Sequence, residues 1–293
     1  MRRAVAACFG DLRHSSFMPV GSRVACLAAV LLLSSLIPAP VRPQPAEVIE
    51  PPEPAGVPAH EELHYRAEWR LVHAGNVHLS WSSNGTGGGW AVRLRIQSAG
   101  IVSRLYRVDD EYRALLDGRL CAVESTLRAQ EGRKRREILV RFDAAGKKAS
   151  YVERDLARDT ALASKEIDIP GCVHDVIGGL YRLRAMRLEP GEAVYLPISD
   201  GKKSVSARVE AQVRETLRIE DRTYQTIRYE AFLFNNVLYR RSGRLLVWLT
   251  DDEARLPVRV RIRLPFYIGT VTLDLRPEHA PGRNSGQSSG GNS

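Results

Sequence analysis

The chain has 293 residues, four cysteines and a formal net charge of +9 at pH 7. The first 46 residues carry five arginines and one aspartate, so they supply +4 of that charge and leave +5 on the rest. An excess this small, spread over interleaved acidic and basic residues, describes a soluble surface and excludes a nucleic-acid-binding one.

Residues 1–46 read as a signal peptide and leader. Residues 24–37, VACLAAVLLLSSLI, are almost wholly apolar, follow Arg23 and run into PAPVRPQPA, a helix-breaking stretch with small residues suited to a signal peptidase. Those 14 residues fall short of the roughly 20 that a bilayer-crossing helix needs, so the segment predicts export, with cleavage near Ala39 or Ala46. Met18 offers an alternative start to Met1. A lipid anchor on Cys26 does not fit, because Arg23 stands where an apolar residue is needed and Cys26 opens the apolar run. Nothing after Ile37 is apolar for long enough to span a membrane, and the expected location is the periplasm.

Residues 47–60 are a proline-rich linker, and residues 61–276 form one domain. The domain opens on HYRAEWRLVHAGNVHLSW. Leu63, Tyr65, Ala67, Trp69 and Leu71 alternate with His64, Arg66, Glu68 and Arg70, which is the period of two that gives a strand one apolar face. After HAGN the alternation resumes with Val77, Leu79 and Trp81, so the stretch predicts a β-hairpin whose inward row includes Trp69. Trp90, Val92, Leu94 and Ile96 continue the pattern. A short helical or irregular piece over residues 100–105 then leads to strands over 106–115, 121–129, 137–142 and 150–154, joined by short antiparallel turns.

CVHDVIGGLYRLRAM breaks this rule. Val176, Ile177, Leu180, Tyr181 and Leu183 make a helical stripe behind Asp175, a good N-cap. Gly178 and Gly179 each cost a helix about 1 kcal/mol, which predicts close packing of this helix against another backbone. Strands follow over 193–199, 205–218, 224–234, 244–250, 258–264 and 267–275. Residues 277–293 lack apolar side chains to bury and are expected to be disordered. The sum is a mainly β domain: about a dozen antiparallel strands in a strongly curved sheet, half-barrel or barrel-like, with one main helix packed on it.

Cys8 and Cys26 depart with the leader, leaving Cys121 and Cys172. In an oxidising compartment these form a candidate disulfide, contributing about 2–4 kcal/mol, or else two buried thiols. The histidines bring no complete metal pattern. His64 and His78 fall on the polar face of the hairpin and can approach each other, but no neighbouring cysteine or histidine supplies further ligands, so His64, His73 and His78 read as surface residues. GQSSG at 286–290 matches a nucleophile elbow without its strand and helix, and GTGGG at 85–89 lacks a following helix. TDDEARLP at 250–257 reads as a polar turn. No catalytic residue, cofactor or metal site is assigned. Arg133, Lys134, Arg135 and Arg136 form the strongest charge run. They read as a solvated hairpin end or as a contact for anionic head groups, where each cation adds on the order of 1 kcal/mol.

The order of elements and four strings, LHYRAEWRLVHAGNVHL, FDAAGKK, HDVIGGLYRLRAM and VWLTDDEARLPVRVRIRLPFYIGTVTLDL, resemble bacterial exported proteins grouped as domain of unknown function 3108. The resemblance implies a β-rich exported fold in the cell envelope and no catalytic residues. The architecture also loosely resembles the lipoprotein carriers of the envelope, a likeness at the level of fold alone. The expected function is non-enzymatic: binding of a lipid, an acyl chain or an envelope protein on a concave apolar sheet. The alternative is a periplasmic hydrolase of an envelope polymer using Asp109, Asp110 and Glu111. An apolar groove under the helix favours the first, and two facing carboxylates in a cleft favour the second.

Overall fold

A computed structural model describes residues 57–84 and 88–276. The leader, most of the linker, the GQSSG tail and part of the GTGGG loop lie outside them.

Among the described residues the chain forms fourteen strands and two helices. In order they are β1 (His60–Trp69), β2 (Val72–Ser83), β3 (Trp90–Ser98), α1 (Gly100–Leu105), β4 (Asp109–Leu116), β5 (Ala122–Glu131), β6 (Lys134–Asp143), β7 (Lys148–Asp155) and β8 (Thr160–Asp168). Then come α2 (Val176–Arg184), β9 (Ala193–Ser199), β10 (Ser204–Ile219), β11 (Arg222–Ala231), β12 (Arg244–Thr250), β13 (Pro257–Arg263) and β14 (Thr270–Leu275). All strands lie in one antiparallel sheet ordered 8-7-6-5-4-3-2-1-14-13-12-11-10-9. Every neighbour is a hairpin partner except β1 and β14, which pair Tyr65 with Leu275 and so join the two halves of the chain.

A sheet this wide curls, and here its flanks meet without pairing. The Lys165 Nζ on β8 donates to the Lys202 carbonyl in the β9–β10 turn at 2.8 Å, and the Lys202 Nζ lies 4.3 Å from the centre of the Tyr151 ring on β7. Residues 172–175 act as a strap across the gap. Ala122 N donates to Val173 O at 2.7 Å, while His174 N donates to Pro197 O at 2.8 Å and His174 O accepts from Ser199 N at 2.9 Å. The strap thus ties the start of β5 to the outer strand β9. Cys121 and Cys172 are bonded in the structure with Cα atoms 5.2 Å apart, at the root of the strap.

α2 lies inside the curl. Asp175 caps it by accepting from Gly178 N at 2.5 Å, and Tyr181, Leu183 and Arg184 are all buried. Both glycines are needed for fit. A Cβ on Gly178 would meet the Asp175 carboxylate and the Leu120 carbonyl, and one on Gly179 would meet Ile198. Tyr181 joins a cluster with Leu63, Tyr65, Leu79, Trp81 and Val92, while Leu183 joins a second with Leu196, Ile198, Ile227 and Tyr229. The helix therefore fills the concave face that the sequence suggested as an open apolar surface.

The first hairpin differs from the sequence expectation. Alternation holds through Glu61, Leu63, Tyr65 and Ala67, but a bulge between Ala67 and Glu68 shifts the register. The turn is Arg70–Leu71, with φ of 50° and 68°, and HAGN belongs to β2. Gly75 sits in that strand because a Cβ there would collide with the Gln97 carbonyl on β3. The extra residue, Ala74, lies on β2, so β1 keeps its register against β14 as far as Trp69, opposite Val271. At the sheet end Trp69 is only half-buried, its Nε1 donating to Ile268 O at 2.8 Å. β8 had no counterpart in the sequence pattern, because Thr160–Asp168 is exposed along nearly its whole length.

Candidate functional site

One end of the sheet gathers loops that are distant in sequence. The β1–β2 turn reaches the β13–β14 turn through the Arg70 guanidinium, whose Nη2 donates to Phe266 O and Tyr267 O, each at 2.8 Å. Pro265 O accepts from Ile268 N at 2.8 Å and Gly269 N at 2.9 Å. Gly269, at φ 96°, closes this turn against the Arg70 stem. On the other side, Ala99 N donates to Ala74 O at 2.8 Å, placing α1 beside β2, and Gly132 N donates to Arg107 O at 2.7 Å, bringing in the β5–β6 turn.

This rim exposes large apolar side chains. Phe266 is 95% exposed, Leu71 93% and Tyr267 75%, with Val72, Ile101 and Leu105 beside them. The chain spends backbone energy to present Leu71, because a left-handed conformation costs a non-glycine residue about 1–2 kcal/mol. Arg70, Arg104, Arg107, Arg133, Lys134, Arg135 and Arg263 are exposed among the same loops. Isolated exposed apolar residues mean little, but these six share one rim with seven cations.

Three of the four residues of the charge run belong to this rim, and Arg136 does not. As a correction to the sequence reading, Arg136 points to the inner face. Its Nη2 donates to Glu131 Oε2 at 3.0 Å and its Nη1 to Glu153 Oε1 at 3.1 Å. Tyr151 and Lys202 also reach Glu153, at 2.7 and 3.3 Å. In RKRR the period of two turns alternate side chains inward, and the carboxylates opposite compensate the buried charge.

The acidic triplet is divided in the same way. Asp109 pairs with Arg95 at 3.2 Å and Glu111 with Arg93 at 2.9 Å, both on the outer face. They border a polar recess of about 270 Å³ that also contacts Arg128 and Arg135. Asp110 points inward, 5% exposed, and accepts from Gln130 N at 2.8 Å. Burial first, and the Glu131 charge second, push its carboxyl up to about 6. Asp110 and Glu131 are both buried, and Glu131 is paired with Arg136, whose charge also acts on Asp110. The two best-formed recesses among the described residues are small and lined mainly by charged side chains.

A raised carboxyl pKa means that the folded protein holds the Asp110 proton more tightly than the unfolded chain. Its favourable contribution is complete below about pH 4 and is lost as pH rises to about 6, on the order of 2 kcal/mol. Asp110→Asn keeps an acceptor for Gln130 N and is expected to gain stability over the wild type on going from pH 4 to 7.5. Urea melts at both pH values test this, and an unchanged difference between the two proteins would refute the assignment.

The histidines separate. His73 Nε2 lies 3.0 Å from Gly75 O. His64 stands directly opposite His78, and their rings stack at 4.1 Å. Glu62, which sequence reading passed over, joins them across the diagonal and contacts His78 Nε2. The only signal was its position two residues before His64, on the same face.

The family model described as "Protein of unknown function (DUF3108)" matches residues 64–276. Comparison with curated proteins finds no match. Among solved structures, a β-barrel-like protein of domain of unknown function DUF1849 from Brucella abortus is similar, with a TM-score of 0.50 and 7% identity over 74% of this chain and 96% of that one. At that identity the likeness shows the fold alone.

Proposed function

The chain belongs to the DUF3108 family, and from that premise we propose that it is an exported, non-enzymatic protein of the cell envelope that docks on an anionic lipid surface through its rim. The carrying observation is the rim itself, with Phe266, Tyr267, Leu71, Val72, Ile101 and Leu105 projecting among seven exposed cations. Fully burying one such apolar side chain is worth about 1.5–3 kcal/mol, and each cation near an anionic surface about 1 kcal/mol. Several partial insertions with charge attraction give reversible attachment. Among the described residues no helix is long and apolar enough to cross a membrane. Export is supported by the leader and by the Cys121–Cys172 bond, which suits an oxidising compartment. The apolar site is the rim in this reading, since α2 occupies the concave face.

Flotation with lipid vesicles tests the proposal. The protein is expected to float with phosphatidylglycerol vesicles and not with phosphatidylcholine ones, with binding weakened by salt. Phe266→Ser with Tyr267→Ser, and separately Arg133→Glu with Lys134→Glu and Arg135→Glu, should each reduce it about 10-fold or more. Binding that ignores both sets of substitutions, or that is absent from anionic vesicles, overturns the proposal. Saturable capture by an envelope protein in their place would assign the rim to a protein partner.

A further inference from the structure

We propose that Glu62, His64 and His78 form a binding site for a divalent transition-metal cation of the zinc class on the outer face of the β1–β2 hairpin. The site is independent of the rim, which lies at the end of the same hairpin.

The placement follows from strand geometry. His64 and His78 are direct cross-strand partners, and Glu62 is paired with Ser80, one step along the same face. Directly opposed side chains have Cβ atoms about 4.5–5.5 Å apart, so imidazoles there can share one ion. One donor atom from each of Glu62, His64 and His78 lies within 4.8 Å of the other two, and among the described residues this is the single such group. Ligands around a tetrahedral zinc at 2.0–2.1 Å are about 3.4 Å apart, so side-chain rotations alone can close the cluster. All three residues are neither fully buried nor fully exposed, which leaves a path for the ion.

The donor set selects the metal. Two imidazoles and a carboxylate suit zinc and its neighbours and disfavour calcium or magnesium, which take oxygen ligands. Three protein ligands leave a coordination position for water or for a group brought by a partner. Ser80 Oγ donates to Glu62 Oε1 at 2.5 Å, orienting the carboxylate from outside the ligand set.

Nearby cations are largely balanced. Arg95 and Arg93 stand opposite His78 and Ser80 on β3, but Asp109 and Glu111 pair with them at 3.2 and 2.9 Å. Arg66 pairs with Glu68 at 3.4 Å, and the Arg276 guanidinium donates to Asn76 at 2.7 Å. His60, with Nε2 3.9 Å from Glu62 Oε1, lies just outside the group.

Isothermal titration of the full chain, prepared without a histidine tag and stripped by chelator, with zinc chloride at pH 7.5 should give one zinc per chain. Ser80→Ala should weaken binding about 10-fold, and Glu62→Gln, His64→Ala and His78→Ala should each weaken it further. His73→Ala should leave it unchanged. Cobalt(II) should give the visible absorption of a site with few ligands, lost in the same three variants. Proton–carbon correlation spectra of the unaltered protein keep the test decisive if a variant misfolds, since zinc should shift the ring signals of His64 and His78 and leave His73 in place. Absence of binding, stoichiometric binding in a variant that combines Glu62→Gln, His64→Ala and His78→Ala, or ring shifts at His73 in place of His64 and His78 would overturn the proposal.

Discussion

Glu61→Gln is expected to destabilise the folded protein by about 3–5 kcal/mol, because it leaves the Arg184 guanidinium buried without its counter-charge. Glu61 is buried beside the first residue of β1, and Arg184, equally buried, ends α2. The pair is bidentate, with Nη1 to Oε2 at 2.5 Å and Nη2 to Oε1 at 2.9 Å. Arg184 Nη2 also donates to Ala254 O at 3.0 Å in the β12–β13 turn, and Tyr181 OH donates to Glu61 Oε2 at 2.7 Å. Burial pushes the guanidinium pKa down, but the Glu61 carboxylate more than offsets it, so the arginine stays charged. Three sequence-distant elements, β1, α2 and the β12–β13 turn, thus meet at one ion pair. Urea unfolding of the single variants and of Glu61→Leu with Arg184→Met checks this. The double variant should recover much of the loss, since an apolar pair of similar volume avoids the desolvation penalty. A loss under about 1 kcal/mol in Glu61→Gln would show that the pair does not hold the helix.

Trp81→Ala is expected to cost a comparable 3–5 kcal/mol, about what deleting a buried tryptophan removes in transfer energy and leaves as cavity. Trp81 is 0% exposed and stacks face to face on Tyr181 with centroids 3.6 Å apart. Trp90 covers it at 5.1 Å, and the Trp81 Nε1 donates to Pro58 O at 3.0 Å. Trp69→Ala, at the half-buried rim, should cost clearly less. Thermal melts of the two variants rank them, and a larger effect from Trp69 would contradict the placement of α2 over Trp81. Glu61 and Trp81 share Tyr181 as a partner, so their combined loss should fall short of the sum.

Much of the fold was legible because it is local. The strands over Ala193–Ser199 and Arg244–Thr250 lie where alternation put them, and α2 begins behind Asp175 as its cap and stripe required. The two glycines announced tight packing, though against Ile198 as well as backbone. The turn at Arg70–Leu71 was not legible. A bulge adds one residue to one strand and reverses the face of everything beyond it, and neither Arg70 nor Leu71 carries a turn signature.

The candidate sites show the same division. By itself the sequence determined the mainly β class, the family resemblance, the cysteine pair to examine, the basic run after β5 and the facing of His64 with His78. Each rests on composition or on a period of two or 3.6 within a few residues. Only the tertiary structure decided that α2 fills the concave face, that Arg136 turns inward while Arg133, Lys134 and Arg135 join a rim with Phe266 and Leu71, and that Glu62 completes a group with the two histidines. These depend on which distant strands become neighbours and in what register. That choice is made by burying Tyr181, Trp81 and the Glu61–Arg184 pair together, and no window of sequence contains all four.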